Sequence, residues 1–238
     1  MFVAIAEPFD FDLTLARFRA NGLDLLNTMS EAGYSRVLEG REVRLATADG
    51  GVAVSPSDPS LEGPVRRLLG AADDLVGFAR SAGGRGDEPL ERLLSSLHGL
   101  RLALVPDPYE MLVASITAQQ ISQAAALAVR NRLVERFGTR HGAVYEFPGA
   151  DALAGAGEDA LCALGLSRPK AQAVVAVASS RVDFQALRAQ PDQEVIEQLM
   201  GLRGIGRWSA EWYLVRHLGR VDVWPAGDLA LRRAVGFY

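Results

Sequence analysis

The strongest restriction on the fold is the stretch Leu199-Met200-Gly201-Leu202-Arg203-Gly204-Ile205-Gly206-Arg207-Trp208. Val195, Ile196 and Leu199 recur at helical spacing as it begins, and Trp208, Trp212 and Val215 do so as it ends. This predicts two short helices joined by a tight glycine-rich hairpin. With no side chains at Gly204 and Gly206, the backbone N–H groups of the turn and the N-terminus of the second helix can come close to a phosphate oxygen. Such a loop, Gly204-Ile205-Gly206-Arg207, grips a nucleic-acid backbone without reading bases. Taken alone, Gly-x-Gly before a helix is equally well explained as a plain interhelical turn. A downstream carboxylate shifts the balance: Pro225-Ala226-Gly227-Asp228 leads into Leu229, Leu231 and Ala234, which places Asp228 at the mouth of a further helix.

A chain of 238 residues, 49% of them hydrophobic, can build two modest domains with real cores. Over residues 1–98, strand and helix signals alternate. Glu42-Val43-Arg44-Leu45-Ala46-Thr47, the turn Asp49-Gly50-Gly51 and Val52-Ala53-Val54 predict a β-hairpin, with helices from Leu13 to Ala20, Leu61 to Leu69 and Ala72 to Arg80 packed on it. The glycine-rich stretch Ser81-Ala82-Gly83-Gly84-Arg85-Gly86-Asp87 marks a loop or boundary. The predicted fold class is α+β: an N-terminal α/β-sheet unit over 1–98, followed by an all-α domain over 99–238.

In the second domain, Asp107-Pro108-Tyr109-Glu110 supplies an N-cap, a proline in the first turn and a capping-box glutamate. A polar break at Gln119-Gln120-Ile121-Ser122 separates that helix from the next, Ala124 to Phe137. Short alanine-rich helices follow. Leu164-Gly165-Leu166-Ser167-Arg168-Pro169-Lys170 then resembles a second, degenerate hairpin, with Ser167 as its cap.

Several classes of chemistry are excluded or disfavoured. Cys162 is the single cysteine, so an internal disulfide or a four-cysteine site is ruled out, and His98, His141 and His217 lack ligand spacing. The expectation is no side-chain metal site and no cofactor. The net charge of −4 argues against indiscriminate polyanion binding, yet Arg168, Lys170, Arg203, Arg207, Arg232 and Arg233 cluster near the hairpin in sequence. No run reaches the roughly 18 apolar residues of a membrane span, and the N-terminus does not read as a signal peptide. A cytoplasmic protein with no membrane partner is expected.

Together these segments resemble the helix-hairpin-helix/Gly-Pro-Asp superfamily of DNA glycosylases, most nearly its alkylpurine branch, the bacterial 3-methyladenine DNA glycosylases II. The resemblance rests on Leu202 to Ala210, on Pro225 to Leu229, on Ile116 to Ser122 and on Gly165-Leu166-Ser167 with Lys170-Ala171. It spans roughly 99–238 and, more weakly, Pro8-Phe9-Asp10-Phe11 and Tyr34-Ser35-Arg36.

It implies a monofunctional glycosylase acting on alkylated purines in base-excision repair, a monomer whose partner is double-stranded, damaged DNA and which associates with the nucleoid when bound. Asp228 would be the catalytic carboxylate, Trp208 and Trp212 the base pocket, and Gln120 the wedge that fills the space of a flipped base. Members that also cleave the strand carry a lysine where Trp208 stands, so lyase chemistry is not expected. The resemblance further implies a structural monovalent cation on the carbonyls of Met200, Leu202 and Ile205. A glycosylase for deaminated bases such as hypoxanthine or uracil, and a non-catalytic damage-binding protein, are the alternatives. The chain ends at Tyr238, ten residues after Asp228, where the resemblance implies further helices; a truncated or compact variant is expected.

Overall fold

A computed structural model of the chain describes residues 1–84 and 86–236. Arg85 in the glycine-rich stretch, and Phe237 and Tyr238 at the end of the stretch expected as the second domain, lie outside the described residues.

Alternating apolar residues near the N-terminus pair into a five-stranded antiparallel sheet of order β1-β5-β4-β3-β2. Its strands are β1 (Phe2–Ala4), β2 (Thr28–Ser30), β3 (Gly33–Leu38), β4 (Arg41–Ala48) and β5 (Gly51–Ser55). The expected hairpin is the β4–β5 pair, with Leu45 opposite Val54 and Thr47 opposite Val52. Period-two alternation turns Val43, Leu45, Val52 and Val54 to one buried face. Helix α1 (Phe11–Leu15), prolonged by a tighter turn at Ala16–Phe18, and α2 (Glu62–Leu68) bring Phe11, Leu15, Val65 and Leu68 into the same core. Two further helices, α3 (Leu75–Ala82) and α4 (Glu88–Ser96), bury no residue.

The remainder is mostly helical: α5 (Pro108–Ala118), α6 (Gln123–Phe137), α7 (Ala150–Ala163), α8 (Arg168–Ala178), α9 (Asp192–Met200), α10 (Arg207–Tyr213) and α11 (Leu229–Gly236). A short ribbon, β6 (Thr139–His141) with β7 (Val144–Glu146), interrupts the helices after α6. Helix α5 is the axis of this part: Leu112, Val113 and Ile116 are fully buried, and it meets α6, α8 and α10. At about 2 kcal/mol for each fully buried aliphatic side chain, this stripe anchors the helical core. The two cores interlock, since Leu26 packs into the helical one and Ala103 into the sheet.

Two local expectations, the Glu110 capping box and the Ser167 cap, need correction. Asp107 does cap α5, accepting the Glu110 N–H at 2.7 Å, but the Glu110 carboxylate closes no capping box. It pairs instead with Arg36 on β3, both side chains being almost wholly buried, because a buried guanidinium left without an anion costs far more than one unmade cap bond. The alanine-rich stretch does form short helices, two that meet within α7 at Gly157, whose φ of 75° and ψ of 163° are not helical. Ser167 occupies the N-cap position of α8 without a side-chain bond. Among the described residues no helix is long and apolar enough to cross a membrane.

Candidate active site

The hairpin spans the residues between α9 and α10. The Ile205 N–H donates to the Leu202 carbonyl at 3.1 Å, and buried Ile205 pins the turn to the helical core. Its two inner glycines do different jobs. Gly204 has a φ of +81°, and a Cβ there would lie 2.3 Å from Cβ of Ala173 on α8, so conformation and packing both demand glycine. Gly206 has a φ of −96°, and a Cβ added there would meet nothing within 4 Å, which leaves bare backbone at the N-terminus of α10 facing open space.

Immediately beyond the hairpin, α10 carries Trp208 and Trp212, one turn apart, into a cavity of about 310 Å³. Met111, Ala114 and Ala118 of α5 and Ala126, Leu127 and Arg130 of α6 line other parts of it. A further wall comes from the N-terminal stretch, through Arg17, Phe18, Asn21 and Asp24. Sequence reasoning missed that wall, for no local pattern there announces a pocket.

Asp228 faces this cavity. The turn before it closes with its own N–H donating to the Pro225 carbonyl at 2.9 Å, and its side chain then caps α11. Oδ1 accepts the N–H groups of Ala230 at 2.9 Å and Leu231 at 3.0 Å, while Oδ2 accepts the indole N–H of Trp208 at 2.9 Å and of Trp212 at 3.1 Å. Partial burial alone would raise this carboxyl, but the four donors outweigh it, Trp208 foremost, and hold it below the usual carboxylate range. Thus the two tryptophans, expected as a wall for the base, also donate to Asp228. Their i, i+4 spacing puts both indoles on one face, but which edge points where was not readable from spacing. Asp222, the competing carboxylate on chemistry alone, is exposed in a turn and does not line the cavity.

At the polar break, Gln120 is exposed with a φ of 58°, and Ile121 beside it is 42% exposed. Ser122 caps α6 by accepting the Ala125 N–H at 3.2 Å. Lys170 Nζ donates to the carbonyls of Thr117 at 2.9 Å and Gln119 at 2.6 Å, and Gln119 Nε2 donates to the Gly204 carbonyl at 3.0 Å, so the break is tied to the hairpin.

Those bonds also thin out the cationic cluster. Arg168 pairs with Glu158 and Asp159, Arg203 bonds Gln172, and Arg207 pairs with Glu211 at 2.8 Å. Of the six cations grouped by sequence, Arg232 and Arg233 on α11 are exposed with no side-chain partner among the described residues. The expected basic face is therefore weaker than the count of residues suggests.

Residues 113–237 match the family model of the HhH-GPD superfamily base excision DNA repair proteins. The chain is 28% identical to the probable bifunctional transcriptional activator/DNA repair enzyme AlkA of Mycobacterium tuberculosis over 97% of its own length and 49% of that protein's. It thus spans about half the length of that relative. It is 26% identical to DNA-3-methyladenine glycosylase 2 of Escherichia coli, over 95% of this chain and 83% of that one. The solved 3-methyladenine DNA-glycosylase of Archaeoglobus fulgidus superimposes with a TM-score of 0.85 at 28% identity, covering 100% of this chain and 86% of that one. Because the family match takes in more than half of the 238 residues, the chain belongs to the HhH-GPD superfamily of base excision DNA repair proteins.

Proposed function

We propose that the protein is a monofunctional DNA glycosylase that hydrolyses the N-glycosidic bond of alkylated purines, of 3-methyladenine and 7-methylguanine type, in duplex DNA. One observation carries the reading: a carboxylate held ionised by four N–H donors in a two-tryptophan pocket, directly after a hairpin whose Gly206 backbone is open. As the bond from base to C1′ breaks, its electron pair goes to the base and positive charge builds on the sugar. Asp228 stabilises that charge and takes a proton from the water whose oxygen bonds C1′. A purine alkylated at N3 or N7 is already cationic and leaves as a neutral base, so a general acid is unnecessary. Trp208 offers no amine for a Schiff base, which supports an abasic product with the strand intact.

Gln120, at the exposed tip of the break, is the residue we assign to the space left by the flipped nucleotide. The carbonyls of Met200, Leu202 and Ile205 supply oxygen-only ligands suited to a monovalent cation, near the negative end of the α9 dipole. Leu202 keeps a second lone pair beside its bond from Ile205.

Chromatography of bases released from methylated duplex DNA, wild type beside Asp228→Asn, tests the proposal. Equal release by both would remove Asp228 from the chemistry, and tight binding without release would make the protein a damage-binding clamp. Gly206→Leu should weaken DNA binding about tenfold for every sequence and lesion, since phosphate contacts carry no sequence information. Unchanged binding would reduce the hairpin to a turn.

A further inference from the structure

The cavity that holds Asp228 is richer in arginine than a site for cationic bases requires. Three guanidinium groups line it: Arg17, Arg130 and Arg216. Arg130 is neutralised by Asp24 at 2.6 Å, and the remaining lining carboxylate besides Asp228, Glu110, is held by Arg36. Arg17 and Arg216 have no carboxylate partner among the described residues. Arg17 lies 5.0 Å over the Phe18 ring and donates one long bond, 3.3 Å, to the Ala103 carbonyl. Arg216 lies 5.3 Å over the Trp212 ring and makes no side-chain hydrogen bond among the described residues. Burial first, and the charge of Arg17 second, depress Arg216 to about 9, so it remains charged at neutral pH while lacking an acceptor.

Two consequences follow for a base in this pocket. Arg216 already lies against Trp212, which weakens that ring as a platform for a cationic purine. A guanidinium has donors only, so the edge it welcomes presents acceptors. A purine with an oxygen at C6 offers such an acceptor, and arginine facing O6 is a common way to recognise it. A 6-amino purine turns N–H donors toward the same group.

We propose that Arg216, with Arg17, is a specificity-determining residue that makes the Asp228 pocket favour 6-oxopurines over 6-aminopurines. The inference rests on the glycosylase reading above. It deepens that reading by adding a preference among substrates. The same guanidinium groups act on the leaving group: an uncharged 6-oxopurine departs with the electron pair of the broken bond spread onto O6, where Arg216 stabilises it. The base then takes up at its ring nitrogen the proton released by the attacking water.

The test uses duplex DNA methylated with a simple alkylating agent, from which 3-methylguanine and 3-methyladenine are released in one reaction and separated. Both carry the methyl at N3, so their ratio reports the purine edge and does not depend on how much protein is folded. Arg216→Met, and separately Arg17→Met, should lower the ratio of 3-methylguanine to 3-methyladenine about tenfold, as expected for losing a hydrogen bond from a charged donor. Arg216→Lys, which keeps the charge and loses the fork, should fall between. If both variants lower the two bases in step, the arginines act on the DNA backbone or on folding and the specificity claim is overturned. Wild-type protein that releases neither base would instead remove the glycosylase reading and this inference with it.

Discussion

Asp107 and Asp228 both stand at a helix N-terminus, and each accepts N–H bonds from the first turn, yet their carboxyl groups are displaced in opposite directions. Burial raises Asp107 to about 6, and the neighbouring Glu110 charge adds to that, against the backbone bond from Glu110. Asp228 is partly buried too, but its second oxygen receives two indole N–H groups that Asp107 lacks, and it falls below the usual range. Capping a helix therefore does not fix the charge of an aspartate. What fixes it is first how deeply the carboxyl is buried, which is much deeper at Asp107, and then the number of donors that meet the oxygen left over once the cap is made. At Asp107 a like charge stands close by, and at Asp228 the rings of α10 do.

The widest separation between the two should appear in chemistry. Asparagine caps helices as well as aspartate does, so Asp228→Asn and Asp107→Asn both keep their first turns. Single-turnover base release should drop about 10³-fold for Asp228→Asn, about 4 kcal/mol of transition-state stabilisation, and by less than about threefold for Asp107→Asn. Comparable losses would mean that the difference in charge state has no bearing on catalysis.

The next effect is on stability against pH. Asp107 holds its proton up to about 6 when folded and to about 3.9 when unfolded, so the folded state binds more protons between those values. Lowering the pH from 6 to 4 then adds stability from this group, about 2 kcal/mol. His217 works the other way. Burial foremost pushes it down to about 4, with Arg188 assisting and the bond from its ring to the Val105 carbonyl opposing. The unfolded histidine protonates near its ordinary value, so its contribution is lost as the pH falls from about 6.5 to 4, about 3 kcal/mol. The two slopes oppose each other in the wild type. Urea unfolding of Asp107→Asn at pH 6.5 and pH 4 should expose the histidine slope, a loss on acidification about 2 kcal/mol larger than in the wild type. A variant with the same pH response as wild type would remove Asp107 from this balance.

How much of this was readable in the sequence depends on range. The hairpin, the β4–β5 pair, the Asp107 cap and the turn before Asp228 rest on glycine, proline and capping residues within a few positions of one another, and those signals were clear. The resemblance to a family then supplied roles that no spacing could. The Arg36–Glu110 pair spans 74 residues of chain, and the wall from Arg17 to Asp24 reaches the pocket only because the sheet packs on the helices. Arg216 looked like any cation on a helix, and its missing partner is a property of the assembled cavity. Helix α4 was not anticipated although Asp87 and Pro89 mark its start and Leu90, Leu93, Leu94 and Leu97 recur at helical spacing, because the glycine-rich stretch before it read as a boundary.

The smallest predicted effect bears most directly on why Asp228 and Asp107 differ. Trp208→Phe and Trp212→Phe each keep an aromatic ring and delete one N–H from Oδ2. A bond to a charged acceptor is worth about 1.5–3 kcal/mol, so base release at neutral pH should fall about tenfold or somewhat more. With a donor gone, the Asp228 carboxyl moves up toward its ordinary value, and the acid limb of the pH–rate profile must move up with it. Trp208 is the larger of the two contributions, so its limb should shift further. Asp107→Asn should leave the limb in place. If the tryptophan variants lose rate with no change in the limb, the indoles orient Asp228 without setting its charge, and the contrast with Asp107 comes down to burial alone.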